Sequence, residues 1–210
     1  MNSSEPAVLD VEFAFDFVCP WCLIGLRQLQ QAEREWSRDT SRPALRMQWR
    51  ATQLLPDTPL EGFNYKEFYE ARLGGPGAVA LRRAQVQGAA AQVGLRLAFE
   101  RIETLPNTAL AHAMTVQALL MGNPRQRQRW IERVFEAYFL EGQDIGRRPV
   151  LDALWKEVGL PPQTAELPRA VVLHAISAVP RFVFNDRVTL SGAQPAAALL
   201  QAMDEAQLRG

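Results

Sequence analysis

Between Leu9 and Phe17 every odd position is apolar (Leu9, Val11, Phe13, Phe15, Phe17), while Asp10, Glu12 and Asp16 fall between them. Period two predicts a half-buried strand over 9–17. The period then changes: Leu23, Leu26, Leu29, Ala32 and Trp36 recur at three- and four-residue steps, the stripe of an amphipathic helix. Alternation returns at Leu45, Met47 and Trp49, set against Arg46, Gln48 and Arg50, for a second strand. Strand, helix and strand in this order make a βαβ unit, expected to be right-handed with parallel strands.

After Thr52 the pattern turns helical. Pro56 and Pro59 break the chain, and helices are predicted near 65–73, 78–93, 108–121, 125–141 and 150–158. The breaks fall at Gly74-Gly75-Pro76-Gly77, Pro106, Gly122-Asn123-Pro124 and Gly146 to Pro149. Asn107 and Thr108 suit the N-cap of the third of these helices. Leu95 to Phe99 fits a short strand or an extended connection equally well. Toward the C-terminus, Arg181–Phe184 and Arg187–Leu190 flank Asn185-Asp186, which predicts a hairpin with a two-residue turn. Pro195 then opens a helix carrying Ala198, Leu199, Ala202 and Met203 on one side. Trp36, Trp49, Trp130 and Trp155 lie on amphipathic stripes and are expected in the core.

Composition narrows the function. The 210 residues carry 23 basic and 23 acidic side chains and no long run of one sign. The densest basic stretch, Arg125 to Arg129, runs at helical spacing into Trp130 and Ile131 and is expected to be a solvated face, not a nucleic-acid patch. No stretch approaches the ~18 apolar residues of a membrane span. Met1 to Asp10 lack a basic start and an apolar core, so no signal peptide is visible and a cytoplasmic protein is expected. Two cysteines in a reducing compartment point to catalysis or redox activity before a structural staple.

Those cysteines are Cys19 and Cys22, in Phe17-Val18-Cys19-Pro20-Trp21-Cys22, directly after the first strand and at the start of the first helix. A sulfur at a helix N-terminus faces unpaired N–H groups and the positive end of the helix dipole. Both favour the thiolate, the species that attacks disulfides. Zinc would want four ligands; the other candidates, His112 and His174, lie on distant segments. His112, in an apolar helical stretch, is expected as a packed residue, and His174 likewise.

A βαβ half, a helical block and a ββα half, with C-x-x-C at the first helix and a proline before the hairpin, resemble the thioredoxin superfamily. The helical block makes the chain similar to the DsbA family. Several stretches resemble its FrnE-like branch: Phe15 to Cys22, Pro106-Asn107-Thr108 with Ala111-His112, Ala137 to Gly146, and Val179 to Phe184 with Ser191 to Gln194. The resemblance implies an α/β thioredoxin-like fold interrupted by an all-helical insertion, with residues 1–53 and 168–210 in the thioredoxin-like domain and 54–167 in the insertion. It implies a thiol-disulfide oxidoreductase in which Cys19 is the exposed nucleophile and Cys22 the resolving thiol. Pro20, Trp21, Val179 and Pro180 would contact substrate, with Pro180 as the cis-proline and the Val179 backbone pairing with an extended substrate. Asn107 and Thr108 would line the groove opposite Cys19. No metal or bound cofactor is implied, and the partner would be a protein or small-molecule thiol or disulfide, glutathione included. The alternative is a glutathione-dependent enzyme similar to 2-hydroxychromene-2-carboxylate isomerases and kappa-class glutathione transferases, with Ser191 to Gln194 holding the γ-glutamyl end.

Three positions depart from the family pattern. Phe13 stands where relatives place a buried carboxylate six residues before the nucleophile, which leaves Asp16 as the nearest acid for proton transfer. The segment from Leu160 to Val179 is short, and Ser177-Ala178 replaces a common glycine.

Overall fold

The computed structural model describes residues 8–164 and 178–208. In chain order the elements are β1 (Val8–Phe15), α1 (Pro20–Trp36), β2 (Ala44–Ala51), β3 (Phe63–Asn64), α2 (Tyr65–Leu73), α3 (Pro76–Ala91), β4 (Thr104–Leu105), α4 (Ala109–Met121), α5 (Pro124–Phe139), α6 (Arg148–Val158), β5 (Arg181–Phe184), β6 (Val188–Ser191) and α7 (Ala196–Leu208). The main sheet has the order β2-β1-β5-β6. β1 lies inside it, parallel to β2 and antiparallel to β5, so both ends of the chain meet on one strand.

The alternation in β1 serves two faces. Leu9, Val11, Phe13 and Phe15 are buried, each side chain contributing about 1.5–3 kcal/mol. Phe13 stacks on Phe182 with ring centroids 5.0 Å apart and meets Trp49 edge-on. Between them Asp10 and Glu12 pair with Arg46, Arg50 and Arg181. The strand ends at Phe15, two residues short of the predicted span. At that point Asp16 turns inward, and the Cys19 N–H closes a turn onto the Asp16 carbonyl at 3.1 Å.

Helix α1 packs against α7, and the Ala196 N–H donates to Gln28 Oε1 at 2.9 Å. Gly25 allows α1 close to the segment before β5: a Cβ there would lie 3.2 Å from Pro180 and from the Phe182 ring.

The helices between β2 and β5 lie within a few residues of their predicted spans, and α2 matches its span. The block is not all-helical. β3 and β4 form a two-stranded antiparallel ladder, with Gly62 at φ +80° where a Cβ would meet the Leu105 carbonyl oxygen. Leu95 to Ala98 is an extended connection leading into a 3₁₀ turn at Phe99–Arg101, held by the Ala98 N–H on the Phe139 carbonyl. The hairpin also differs. Three residues, Asn185 to Arg187, separate Phe184 from its partner Val188, with Asn185 and Asp186 at positive φ. Asn185 exchanges bonds with the Asp10 backbone, which sets the longer turn. The predicted domain limit at 167/168, His174 and most of the short 160–179 segment fall outside the described residues. No described helix is long and apolar enough to cross a membrane.

Candidate active site

Cys19 is the N-cap of α1 in extended conformation, Pro20 takes the first helical position, and the Cys22 N–H donates to the Cys19 carbonyl at 3.0 Å. A proline suits that position because its missing N–H has no helical partner to lose. Both thiols are free. Cys19 is 8% exposed and Cys22 fully buried. The expectation of an exposed nucleophile is therefore corrected: Cys19 is itself largely buried, because Val18 and Phe17 fold into the core beside it. Burial pushes the Cys22 thiol well up; the neighbouring Cys19 sulfur and the Asp16 charge add to this, and a bond from the Asp16 backbone opposes it.

The Val179–Pro180 peptide bond is cis. The Cys19 thiol donates to the Val179 carbonyl at 3.8 Å, a sulfur contact that joins the two loops. The Pro180 carbonyl in turn accepts the Gly192 N–H at 2.8 Å, with Gly192 at φ +81°. Gln194 Nε2 donates to the Ser191 carbonyl at 2.6 Å, so these two residues brace the turn behind Pro180.

Phe13 fills the family's carboxylate position with core packing, and the acid of this site comes from elsewhere. Asp16 has no exposed surface; its Oδ2 accepts the Leu54 N–H at 2.7 Å and its Oδ1 lies 3.0 Å from His112 Nε2. His112, 1% exposed, stacks on Phe17 with centroids 5.1 Å apart, and its Nδ1 has no hydrogen-bond partner. An ionised Asp16 only accepts, so the ring then carries its proton on Nε2. His112 is thus no plain packed residue. No spacing links positions 16 and 112; the signals available were an imidazole in a mostly apolar helix and the Ala111-His112 pair of the family resemblance.

Asn107 and Thr108 stand at the start of α4. Asn107 Oδ1 accepts the Ala109 N–H at 2.9 Å and Gln53 Nε2 at 3.0 Å, while its amide donates to the Thr58 carbonyl. It caps α4 and ties the 53–58 loop to it; Thr108 makes no side-chain cap. The recess beside the cysteines is built by different residues: Val18, Pro20 and Trp21 on one side, Tyr65, Tyr69 and Arg83 among those opposite. Tyr65, Tyr69, Arg82 and Arg83 were not singled out by the sequence, because α2 and α3 carry only weak apolar stripes.

The family model of the DSBA-like thioredoxin domain matches residues 10–170, and the chain belongs to that family. A curated relative, YwbO of Bacillus subtilis (strain 168), is 26% identical over 194 residues, covering 82% of this chain and 85% of YwbO. Among solved structures, a probable DsbA oxidoreductase from Streptomyces coelicolor superposes with a TM-score of 0.79 at 21% identity, covering 96% of this chain and 91% of that one. The cytosolic disulfide reductase DsbM from Pseudomonas aeruginosa, solved with GSH, gives 0.59 at 21% identity, covering 96% of this chain and 100% of that one. At these identities the likeness to the solved structures is one of fold.

Proposed function

We propose that this protein is a thiol-disulfide oxidoreductase that exchanges two electrons through Cys19 and Cys22. The observation that carries this is the placement of Cys19, which keeps a little exposed surface, at the N-cap of α1 with the fully buried Cys22 a turn further in. Acting as reductant, the Cys19 thiolate attacks one sulfur of a substrate disulfide, whose S–S bond breaks and releases a thiolate. Cys22 then attacks the Cys19 sulfur of the mixed disulfide and expels the second substrate thiolate. Two electrons pass from the dithiol to the substrate, and the Cys19–Cys22 disulfide remains. The reverse sequence oxidises a dithiol substrate.

Cys22 holds its proton firmly, so resolution needs a group to take it. Asp16, whose charge acts on Cys22 and whose carboxylate is bonded to His112, is the proposed acceptor. Pro20, Trp21, Val179 and Pro180 form the proposed contact surface for substrate. Glutathione, present in the DsbM structure, is the proposed co-substrate that returns the pair to the dithiol, and the cytoplasm is the proposed place of action. No metal or other bound cofactor enters the scheme.

The test is equilibration across glutathione redox buffers, followed by acid quench, thiol alkylation and intact mass. A two-electron transition between dithiol and internal disulfide is expected, with its midpoint giving the direction of use. A persistent glutathione adduct on Cys19 with no internal disulfide would overturn the proposal, as would no change at any poise.

A further inference from the structure

We propose that the recess beside Trp21 binds the non-reacting arm of the substrate, and that this arm is a single aromatic ring bearing a carboxylate. The proposal deepens the oxidoreductase reading and rests on it for the sulfur chemistry alone. The recess has a volume of about 140 Å³. Its walls include Trp21, Tyr65, Tyr69, Val86, Phe99 and Phe139, so an apolar, flat guest is favoured. An engineered apolar cavity of about 150 Å³ takes benzene, so one ring fits here.

The charge is set by α3. The Arg83 guanidinium lies 5.2 Å over the Tyr65 ring and 5.7 Å from the Phe99 centroid, and Arg82 lies 5.6 Å over Trp21. Both arginines line the recess, and among the described residues no acidic side chain does. Among the described residues neither forms an ion pair. Arg83 Nε is buried without a hydrogen-bond partner, and the Arg83 side chain also acts on the Tyr65 hydroxyl. Glu100 borders a second depression, which Arg83 and Arg96 also line, and forms no ion pair with Arg83 among the described residues. A guanidinium held among aromatic rings suits the planar carboxylate, which it can grip through two N–H donors. A zwitterionic end group such as the γ-glutamyl of glutathione is disfavoured, since its ammonium would face two guanidiniums with no carboxylate to receive it.

Seating such an arm beside Pro20 and Trp21 brings an attached sulfur toward Cys19. For a diaryl disulfide, Cys19 attack releases one aryl thiolate, and Cys22 attack releases the second and closes the internal disulfide. A low-molecular-weight thiol such as glutathione reduces that disulfide again.

Binding is tested apart from redox chemistry by using Cys19→Ser protein. Two-dimensional ¹H–¹⁵N NMR titrations with 3-phenylpropionate and 3-phenylpropionamide follow the Arg83 Nε–H and the Trp21 indole N–H. The carboxylate is expected to bind about tenfold or more tightly than the amide, and Arg83→Gln to bring it down to the level of the amide. Arg82→Gln, at a more exposed position, is expected to cost less. Equal binding of the two probes, absence of saturation, or indifference to Arg83→Gln would overturn the proposal. Should Arg83→Gln fail to fold, the wild-type preference decides, with Arg83→Lys expected to fall between. In the active protein, kcat/KM for 4,4′-dithiodibenzoate relative to neutral 4,4′-dithiodipyridine is expected to fall about tenfold in Arg83→Gln. Selective binding without any disulfide exchange would sink the oxidoreductase reading and leave the binding site standing; exchange without selective binding would sink this proposal alone.

Discussion

Removing the Asp16 carboxylate separates its structural and chemical roles. Asp16 accepts from the Leu54 N–H at 2.7 Å and from His112 Nε2 at 3.0 Å in a place with no exposed surface. Hydrogen bonds to a charged group contribute about 1.5–3 kcal/mol each, and stripping one partner from a buried pair costs about 3–5 kcal/mol. Asp16→Ala is therefore expected to lose about 3–5 kcal/mol in urea unfolding of the reduced protein. Asp16→Asn keeps an acceptor for Leu54, and His112 can shift its proton to the unpartnered Nδ1 and accept from the amide, so its loss is about 1–2 kcal/mol. A double-mutant cycle of Asp16→Ala with His112→Leu isolates the pair, and a coupling of about 1.5–3 kcal/mol is expected. The kinetic half uses Asp16→Asn. In stopped-flow, resolution of a preformed Cys19 mixed disulfide by Cys22 is expected to slow about 10²-fold, the lower end for loss of a general base. Alkylation of Cys19 in the same variant should change far less. A coupling under about 0.5 kcal/mol would refute the structural reasoning, and an unchanged resolution rate would refute the role as proton acceptor.

Cys22 in the reduced protein should resist iodoacetamide at neutral pH while Cys19 reacts; modification of both at the rate of a free thiol would contradict the burial of Cys22. Because its folded value is raised, the unfolded thiol ionises first, so stability should fall as pH rises from about 8.5 upward and Cys22→Ala should flatten that arm. Glu33, pushed up to about 7 by burial with help from the Glu132 charge, behaves alike at lower pH. Between about pH 4.5 and 7 the unfolded carboxyl ionises while the folded one does not, so stability falls by up to about 3 kcal/mol, or about 1–2 once water around this half-buried side chain is counted. Glu33→Gln should be more stable by that amount at pH 8 and no different at pH 4; equal stability at both would discard the assignment. Gly142 sits at φ +73° with its missing Cβ aimed at the Arg101 carbonyl, and Gly142→Ala should lower stability by about 2 kcal/mol or more in thermal unfolding. A change under about 0.5 kcal/mol would show that the backbone there yields freely.

Much of the frame was legible in the chain. Period two in β1 and β2, period three to four in α1, and the Pro and Gly breaks placed the elements within a few residues, because burial of one face is a local property of spacing. The position of Cys19 at the head of α1 followed from the same change of period. Other features obey contacts between distant segments and leave no periodic trace. β3 and β4 are two residues each, too short to alternate, and a Cβ at the neighbouring Gly62 would collide with Leu105. Asn185 bonds to the Asp10 backbone and so lengthens a turn that local propensity reads as two residues. Asp16 meets His112 from 96 positions away, and Trp21 meets Arg82 across the helical block. By itself the sequence determined a dithiol at the start of a helix on a βαβ frame. The tertiary structure alone decided how deeply Cys19 is buried, that Asp16 is partnered by His112 and what charge faces the recess, since desolvation and charge depend on the neighbours that folding brings into contact.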